Sequence, residues 1–152
     1  MTGKQHWHGA GVSVMTNGMM LLDYLLVALG GALGSVARYW FSGVIGQRFG
    51  ETFPLGTLLV NITGSIAIGF FATITGTEGR LLVAPAWRLA FMTGVCGGYT
   101  TFSSFSLQTM NLALEGDWLR AGVNVLASVA LCLIGVWLGH SCAAFFNQLK
   151  AA

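Results

Sequence analysis

Charge is scarce in this sequence: of 152 residues, only 8% are Asp, Glu, Lys or Arg, and 55% are hydrophobic. A soluble domain carries about a quarter charged residues, so the composition indicates an integral membrane protein. The charges collect at the chain ends and in short stretches, leaving four long segments with almost none. Each segment exceeds the ~20 residues that a helix needs to cross ~30 Å of hydrocarbon. These segments are residues 24–47, 52–77, 89–114 and 121–149.

All five carboxylates fall outside the four segments. Proton-coupled pumps and exporters of cationic drugs usually hold an acidic residue inside the membrane. Its absence argues against a small multidrug-type exporter, although such a protein would also have four helices. A non-transporting scaffold protein is a further alternative, but it does not explain the glycine-rich and threonine-rich segment described below.

Groups of catalytic or metal-binding residues are also lacking. His140 stands alone, and the three cysteines, Cys96, Cys132 and Cys142, show no paired spacing. We therefore interpret the cysteines as packing residues and predict neither a disulfide nor a metal site from them. The absence of a nucleophile–base pair makes an enzyme an unlikely interpretation of the chain.

The segments predict an all-α membrane protein with one transmembrane domain over residues 21–150 and no soluble domain. We expect helices at about 23–47, 53–77, 87–114 and 119–147. Residues 1–20 read as a polar N-terminal extension, in which a disordered tail is a better interpretation of His6 and His8 than a weak metal site.

The charge distribution gives little preference for either membrane orientation. Positive residues are normally enriched on the cytoplasmic side, but here four face one side and two the other. Such a small bias predicts insertion in both orientations and hence an antiparallel, dual-topology homodimer. The residues on the first side are Lys4, Arg80, Arg88 and Lys150, and those on the second are Arg48 and Arg120.

Residues 94–106 (GVCGGYTTFSSFS) interrupt the third apolar segment. Glycine, threonine and serine are poor helix formers, and irregular backbone inside a membrane is tolerated only in protein or beside a wet cavity. The segment therefore predicts a helix broken near the midplane, at a site for a small solute or ion. Carbonyl groups freed at Gly97 to Thr100 are suited to a small cation, and the ring edges of Phe102 and Phe105 to a small anion.

Polar residues elsewhere in the segments are candidates for the same site. Thr57 and Asn61 are four residues apart and share a helix face; the amide of Asn61 can bond a solute or a neighbouring helix. Arg38 lies deep in the first segment, where we expect it at a wet entrance or an assembly contact rather than as an interfacial anchor. Asn124 and Ser128 form a further polar row in the last segment.

Three GxxxG pairs predict close helix contacts, because glycine allows backbones to approach where lipid gives no hydrophobic driving force. They are Gly30 with Gly34, Gly94 with Gly98, and Gly135 with Gly139.

Three stretches in order resemble the Fluc (CrcB) family of fluoride channels. Residues 30–39 (GGALGSVARY) are similar to the family's first-helix motif, residues 54–65 (PLGTLLVNITGS) to its second-helix motif, and residues 94–106 to its broken third helix. The resemblance covers most of the chain, from about Leu22 into the last helix.

The resemblance implies a passive, fluoride-selective channel that exports cytoplasmic fluoride across the bacterial inner membrane, with two pores per homodimer. Its partners would be fluoride, a second subunit and membrane lipid, with no nucleic acid. It implies an anion path along Asn61, Phe102, Phe105, Thr57, Ser104 and Ser128. It also implies a structural Na⁺ at the dimer centre, held by the backbone carbonyls of Gly97 and Thr100, and places Arg38 at the entrance or dimer contact.

The sequence departs from the family pattern at two places. Gln108 stands where many relatives have a glutamate, so a role of that acid in conduction does not carry over. Asn124 and Cys132 make the last-helix row poorer in hydroxyls. We expect these changes to alter the rate rather than the selectivity.

Overall fold

The computed structural model describes residues 17–50, 52–77 and 79–149, so His6 and His8 lie outside the described residues. Over these ranges the regular structure is entirely helical. The elements in chain order are α1 (Asn17–Phe49), α2 (Leu55–Ile74), α3 (Pro85–Leu89), a π-helical segment (Ala90–Cys96), α4 (Gly97–Tyr99), α5 (Phe102–Leu114) and α6 (Trp118–Gln148).

Three of these helices are long and apolar enough to cross a membrane: α1 from Met20 onward, α2 and α6. Helix α1 contains 33 residues, equivalent to about 50 Å, and so exceeds the ~30 Å of a hydrocarbon core. It begins at least six residues before the expected position 23, because an apolar Met-Leu run continues the helix. Asp23 therefore lies inside a helix, but close to its N-terminal end.

The fourth predicted span is the broken helix. Residues 85–99 form its first half, and α5 forms its second. Pro85 lies in the first turn of the first half, where backbone amides have no helical acceptor. Its lack of an amide hydrogen therefore costs no hydrogen bond. The next turns are π-helical over Ala90–Cys96, a feature that the sequence did not predict.

The break lies within the predicted segment 94–106, at its two threonines and not at its glycines. Gly94, Gly97 and Gly98 all remain helical, and the interruption falls on Thr100 and Thr101. Thr100 has φ −77° and ψ 158°, and Thr101 has φ −152° and ψ 113°, so both backbones are extended. Gly94 and Gly98 instead serve packing, as their surroundings show.

Two of the predicted glycine pairs pack against one another. A Cβ atom at Gly30 would lie 2.7 Å from the carbonyl oxygen of Ala90, and one at Gly94 would lie 3.1 Å from Cα of Gly30. Gly34 and Gly98 are equally confined by Val95 and Gly31 backbone atoms, respectively. Helix α1 thus lies against the first half of the broken helix with the backbones in direct contact.

Helix α2 packs in the same way against α6. Cβ atoms at Gly69 and Gly139 would collide with the carbonyl oxygens of Val136 and Ile66, respectively. At the C-terminal end of α2, Arg88 donates from Nε to Thr75 Oγ1 (3.1 Å) and from Nη2 to the Ala72 carbonyl (3.3 Å). These contacts make α2 the element that joins α1, the broken helix and α6.

The packing predicts opposite effects for two glycine substitutions in α1. Gly34→Ala introduces a methyl group against backbone atoms that cannot rotate away, and we expect it to lower the free energy of unfolding by roughly 1–3 kcal/mol. Gly43→Ala is the matched control: nothing lies within 4 Å of its Cβ position, so removing a helical glycine should stabilise by about 0.5–1 kcal/mol. Denaturation in detergent micelles measures both; equal effects would contradict the assigned contact.

Candidate functional site

Asn61 joins the middle of α2 to the break. Its Nδ2 donates to the carbonyl oxygen of Thr101 (3.1 Å), and its Oδ1 accepts from the Thr101 amide (2.8 Å). One side-chain amide thus satisfies both backbone groups of a residue that has left the helix. This pairing also fixes the orientation of the amide, since a flipped group would oppose donor to donor and acceptor to acceptor.

Thr101 is also the N-cap residue of α5. Its Oγ1 accepts from the amide of Ser104 (3.2 Å), which is the usual N-cap arrangement, and donates to Ser104 Oγ (3.1 Å). The Oγ atom of Ser103 lies 3.2 Å from the same oxygen. The threonine thereby gathers two serine hydroxyls at the start of the second half-helix.

The break leaves carbonyl groups without their helical donors. The Thr101 amide, which would bond the Gly97 carbonyl in a continuous helix, is committed to Asn61. The Gly98 carbonyl accepts instead from Arg38 Nε (3.2 Å) and Ser35 Oγ (3.4 Å). Among the described residues, no hydrogen-bond donor reaches the carbonyl oxygens of Gly97 or Thr100.

A cavity of about 360 Å³, which we call the chamber, lies on one side of the break. Its walls include Asn61, Thr101, Phe102, Phe105 and Ser128. The Phe102 and Phe105 ring centroids are 5.2 Å apart, with an angle of 50° between the ring planes. Phe105 is buried, whereas Phe102 is 76% exposed at the protomer surface.

A larger cavity of about 970 Å³, which we call the vestibule, lies on the other side. It is lined by polar groups that include Arg38, Thr57, Thr101, Ser104 and Gln108. Thr101 lines both cavities. The break and its Asn61 pairing therefore form the boundary between an apolar chamber and a polar vestibule.

The predicted path residues divide between the two cavities. Asn61, Phe102, Phe105 and Ser128 line the chamber together with Gly97 and Thr100, while Thr57, Ser104 and Arg38 line the vestibule. Asn124 lines neither cavity, because its Nδ2 donates to Thr109 Oγ1 (2.8 Å) on α5.

Two acceptors in the cavity walls are buried without hydrogen-bond partners among the described residues: Ser128 Oγ in the chamber and Gln108 Oε1 in the vestibule. Unsatisfied buried polar atoms are uncommon in native structures and often mark a place where a water molecule or an ion binds. Sequence reasoning did not single out Thr101, although a threonine directly before an apolar residue such as Phe102 is a typical N-cap candidate.

Comparison with known proteins identifies similar chains. Residues 25–140 match the family model described as CrcB-like protein, Camphor Resistance (CrcB). A relative from Opitutus terrae named fluoride-specific ion channel FluC is 61% identical over 129 residues, covering 85% of this chain and 98% of the relative. The FluC proteins of Rhodospirillum rubrum (61% over 127 residues, 84% and 98% covered) and Paramagnetospirillum magneticum (58% over 128 residues, 84% and 100% covered) are similar to it as well.

The cap at Thr101 predicts a difference between two conservative substitutions. Thr101→Val keeps the shape but removes the oxygen that accepts from the Ser104 amide, and we expect a loss of about 1 kcal/mol in the free energy of unfolding. Thr101→Ser retains the hydroxyl and should stay within a few tenths of a kcal/mol of the unsubstituted protein. Equal denaturation midpoints for the two variants in detergent would show that the cap does not stabilise α5.

Proposed function

Because the chain belongs to the CrcB family of fluoride-specific ion channels, we propose that it is a passive channel that carries fluoride out of the cell through two pores per homodimer. Its relatives are named as ion channels rather than enzymes, and its apolar helices fit a multi-pass protein of the bacterial inner membrane. The observation that carries the proposal is the Asn61–Thr101 pairing between chamber and vestibule.

The groups at this boundary suit a small anion that must not be held tightly. Asn61 uses one of its two N–H hydrogens on the Thr101 carbonyl, which leaves the second available as a neutral donor. Phenylalanine ring edges carry partial positive charge, and Phe105 and Phe102 present rings to the chamber. Hydroxyl groups continue the path, from Ser128 in the chamber to Thr57 and Ser104 in the vestibule.

Passive transport follows from the distribution of acidic residues. Within the described residues, Asp23 is the carboxylate that lies in a membrane-spanning candidate, and it sits near the N-terminal end of α1. A proton-coupled transporter requires a titratable group at its transport site, whereas a channel requires only a gradient. Fluoride that accumulates in the cytoplasm would leave down its own gradient.

Two features of the single chain support a second subunit in the proposed homodimer. Phe102 lines the chamber yet is 76% exposed, and a second subunit packed against it would close the chamber. Gly97 is exposed, and its Cβ position meets no atom closer than Met92 O at 3.9 Å. A helical glycine without a packing role destabilises by roughly 0.5–1 kcal/mol relative to alanine, and close approach of a partner backbone at Gly97 accounts for its presence.

The carbonyls of Gly97 and Thr100 fit a structural Na⁺ at the centre of that dimer. Among the described residues neither oxygen accepts a hydrogen bond, and oxygen ligands suit small hard cations. When bound, the ion would supply positive charge that satisfies carbonyls of both subunits. Arg38, which bonds Gly98 and lines the vestibule, would shape the entrance and raise the local anion concentration.

Liposome efflux tests the proposed activity. Purified protein in vesicles loaded with fluoride or chloride, with potassium and valinomycin to balance charge and no proton gradient, should release fluoride rapidly and chloride negligibly. A fluoride-selective electrode and a chloride electrode follow the release. Equal loss of both ions would contradict the selectivity, and folded dimeric protein without flux of either ion would favour the scaffold alternative.

Asn61→Asp tests the boundary itself. A carboxylate cannot donate to the Thr101 carbonyl and places a negative charge on the anion path. Two like charges about 4 Å apart repel by about 4 kcal/mol at an effective dielectric constant near 20, so fluoride efflux should fall at least roughly tenfold.

The matched control for Asn61→Asp is Gln148→Glu, which adds the same charge at an exposed position near the end of α6. Its efflux should equal that of the unsubstituted channel. Normal efflux from folded Asn61→Asp protein would remove Asn61 from the path.

A further inference from the structure

Three sulfur atoms belong to residues that line the chamber. Met92 and Cys96 come from the π-helical segment, and Cys132 comes from α6 on another wall. The sequence gave no reason to group them, because 36 positions separate the two cysteines in the numbering. The fold brings them to one cavity of about 360 Å³, where they border the same space as Phe105 and Ser128.

The chemistry of this grouping differs from that of the rest of the cavity. Thiolate and thioether ligands are soft and select monovalent copper and its analogues over the hard cations that carbonyl groups prefer. Cys96 is 4% exposed, so an ion bound there would be shielded from competing water. Ser128, itself 6% exposed, presents an oxygen without a hydrogen-bond partner among the described residues to the same chamber.

We propose that Met92, Cys96 and Cys132 form a binding site for a soft monovalent metal cation, Cu(I) or Ag(I), and that its occupation closes the chamber to fluoride. Each cysteine would form a sulfur–metal bond as its S–H bond breaks, releasing one proton to the buffer, and Met92 would contribute a lone pair. No electron is transferred. The closure depends on the proposed function, because it requires that fluoride passes through the chamber; the metal site itself does not.

Silver is the practical probe, since it needs no reductant. Fluoride efflux would be measured from liposomes in nitrate buffer, without chloride, over a series of Ag⁺ concentrations. We expect efflux to stop as Ag⁺ approaches the protein concentration and to return on addition of dithiothreitol. In parallel, silver retained after gel filtration by protein carrying Cys142→Ser, which removes the exposed thiol, should approach one ion per subunit when measured by mass spectrometry.

Substitutions distinguish the chamber from other thiols. Cys132→Ser and Cys96→Ala should each raise the half-inhibiting Ag⁺ concentration by on the order of tenfold or more, and Met92→Leu should raise it less. Each variant is compared with its own efflux before silver is added. Cys142→Ser is the matched control: Cys142 is exposed on α6 and lines neither cavity, so efflux and silver sensitivity should be unchanged.

Normal efflux that resists excess Ag⁺ would overturn the inference, as would a Met92→Leu/Cys96→Ala/Cys132→Ser variant that is blocked at the same concentration as the unsubstituted protein. Absence of efflux before silver is added would instead contradict the channel function. The amount of retained silver then tests the metal site separately from the channel function. Retention of one ion per subunit that is lost on Cys132→Ser substitution supports the metal site. Equal retention with and without Cys132→Ser rejects the metal site.

Discussion

The pairing of Asn61 with the backbone of Thr101 is the interaction on which the rest of the site depends. In lipid, a helix cannot simply open, because each unpaired amide or carbonyl group costs several kcal/mol. A side-chain amide offers a donor and an acceptor with the spacing of a peptide group, so it replaces the bonds that Thr101 gives up. The chain can therefore leave the helix at one defined point, with a cavity on each side of it.

Close packing of small residues makes this pairing geometrically possible. A side chain at Gly64 would overlap the Thr100 methyl group, and it would also lie 3.2 Å from the Tyr99 ring. On the opposite side, the glycine contacts with α1 bring Arg38 within reach of the Gly98 carbonyl. The charge of Arg38, which is expensive in a membrane, thus satisfies a backbone group that the break exposes. The cost of a cation inside a membrane-spanning helix and the cost of a free carbonyl are reduced by the same contact.

Much of this arrangement was predictable from residue types and spacing. The apolar segments and the glycine pairs depend on patterns along single helices, whereas the grouping of Asn61 with the Phe102–Phe105 pair was implied by the family resemblance. The location of the break was less predictable, because glycine content and backbone opening did not coincide: Gly94 and Gly98 are required for packing, while Thr100 and Thr101 leave the helix.

Contacts between residues far apart in the chain could not be predicted from this single sequence. The spacing of Asn124 and Ser128 predicted a polar row on α6. The Asn124 amide instead donates a hydrogen bond to Thr109 and does not line either cavity. The convergence of Cys96 and Cys132 on one chamber depends on the rotation of two helices about their axes, which apolar periodicity does not fix when most faces are apolar.

The π-helical segment sets the angular phase of everything that follows it. In such a segment the chain holds more residues per turn than an α-helix, so it acts as an inserted residue that the helix has absorbed. Rewinding Ala90–Cys96 as an α-helix with no residue deleted would turn the downstream residues by about 100° around the axis. Thr101 would then face away from Asn61 even though every residue of the boundary was still present. The phase of the half-helix is thus a component of the site in its own right, set by how the preceding segment winds as well as by the side chains at the boundary.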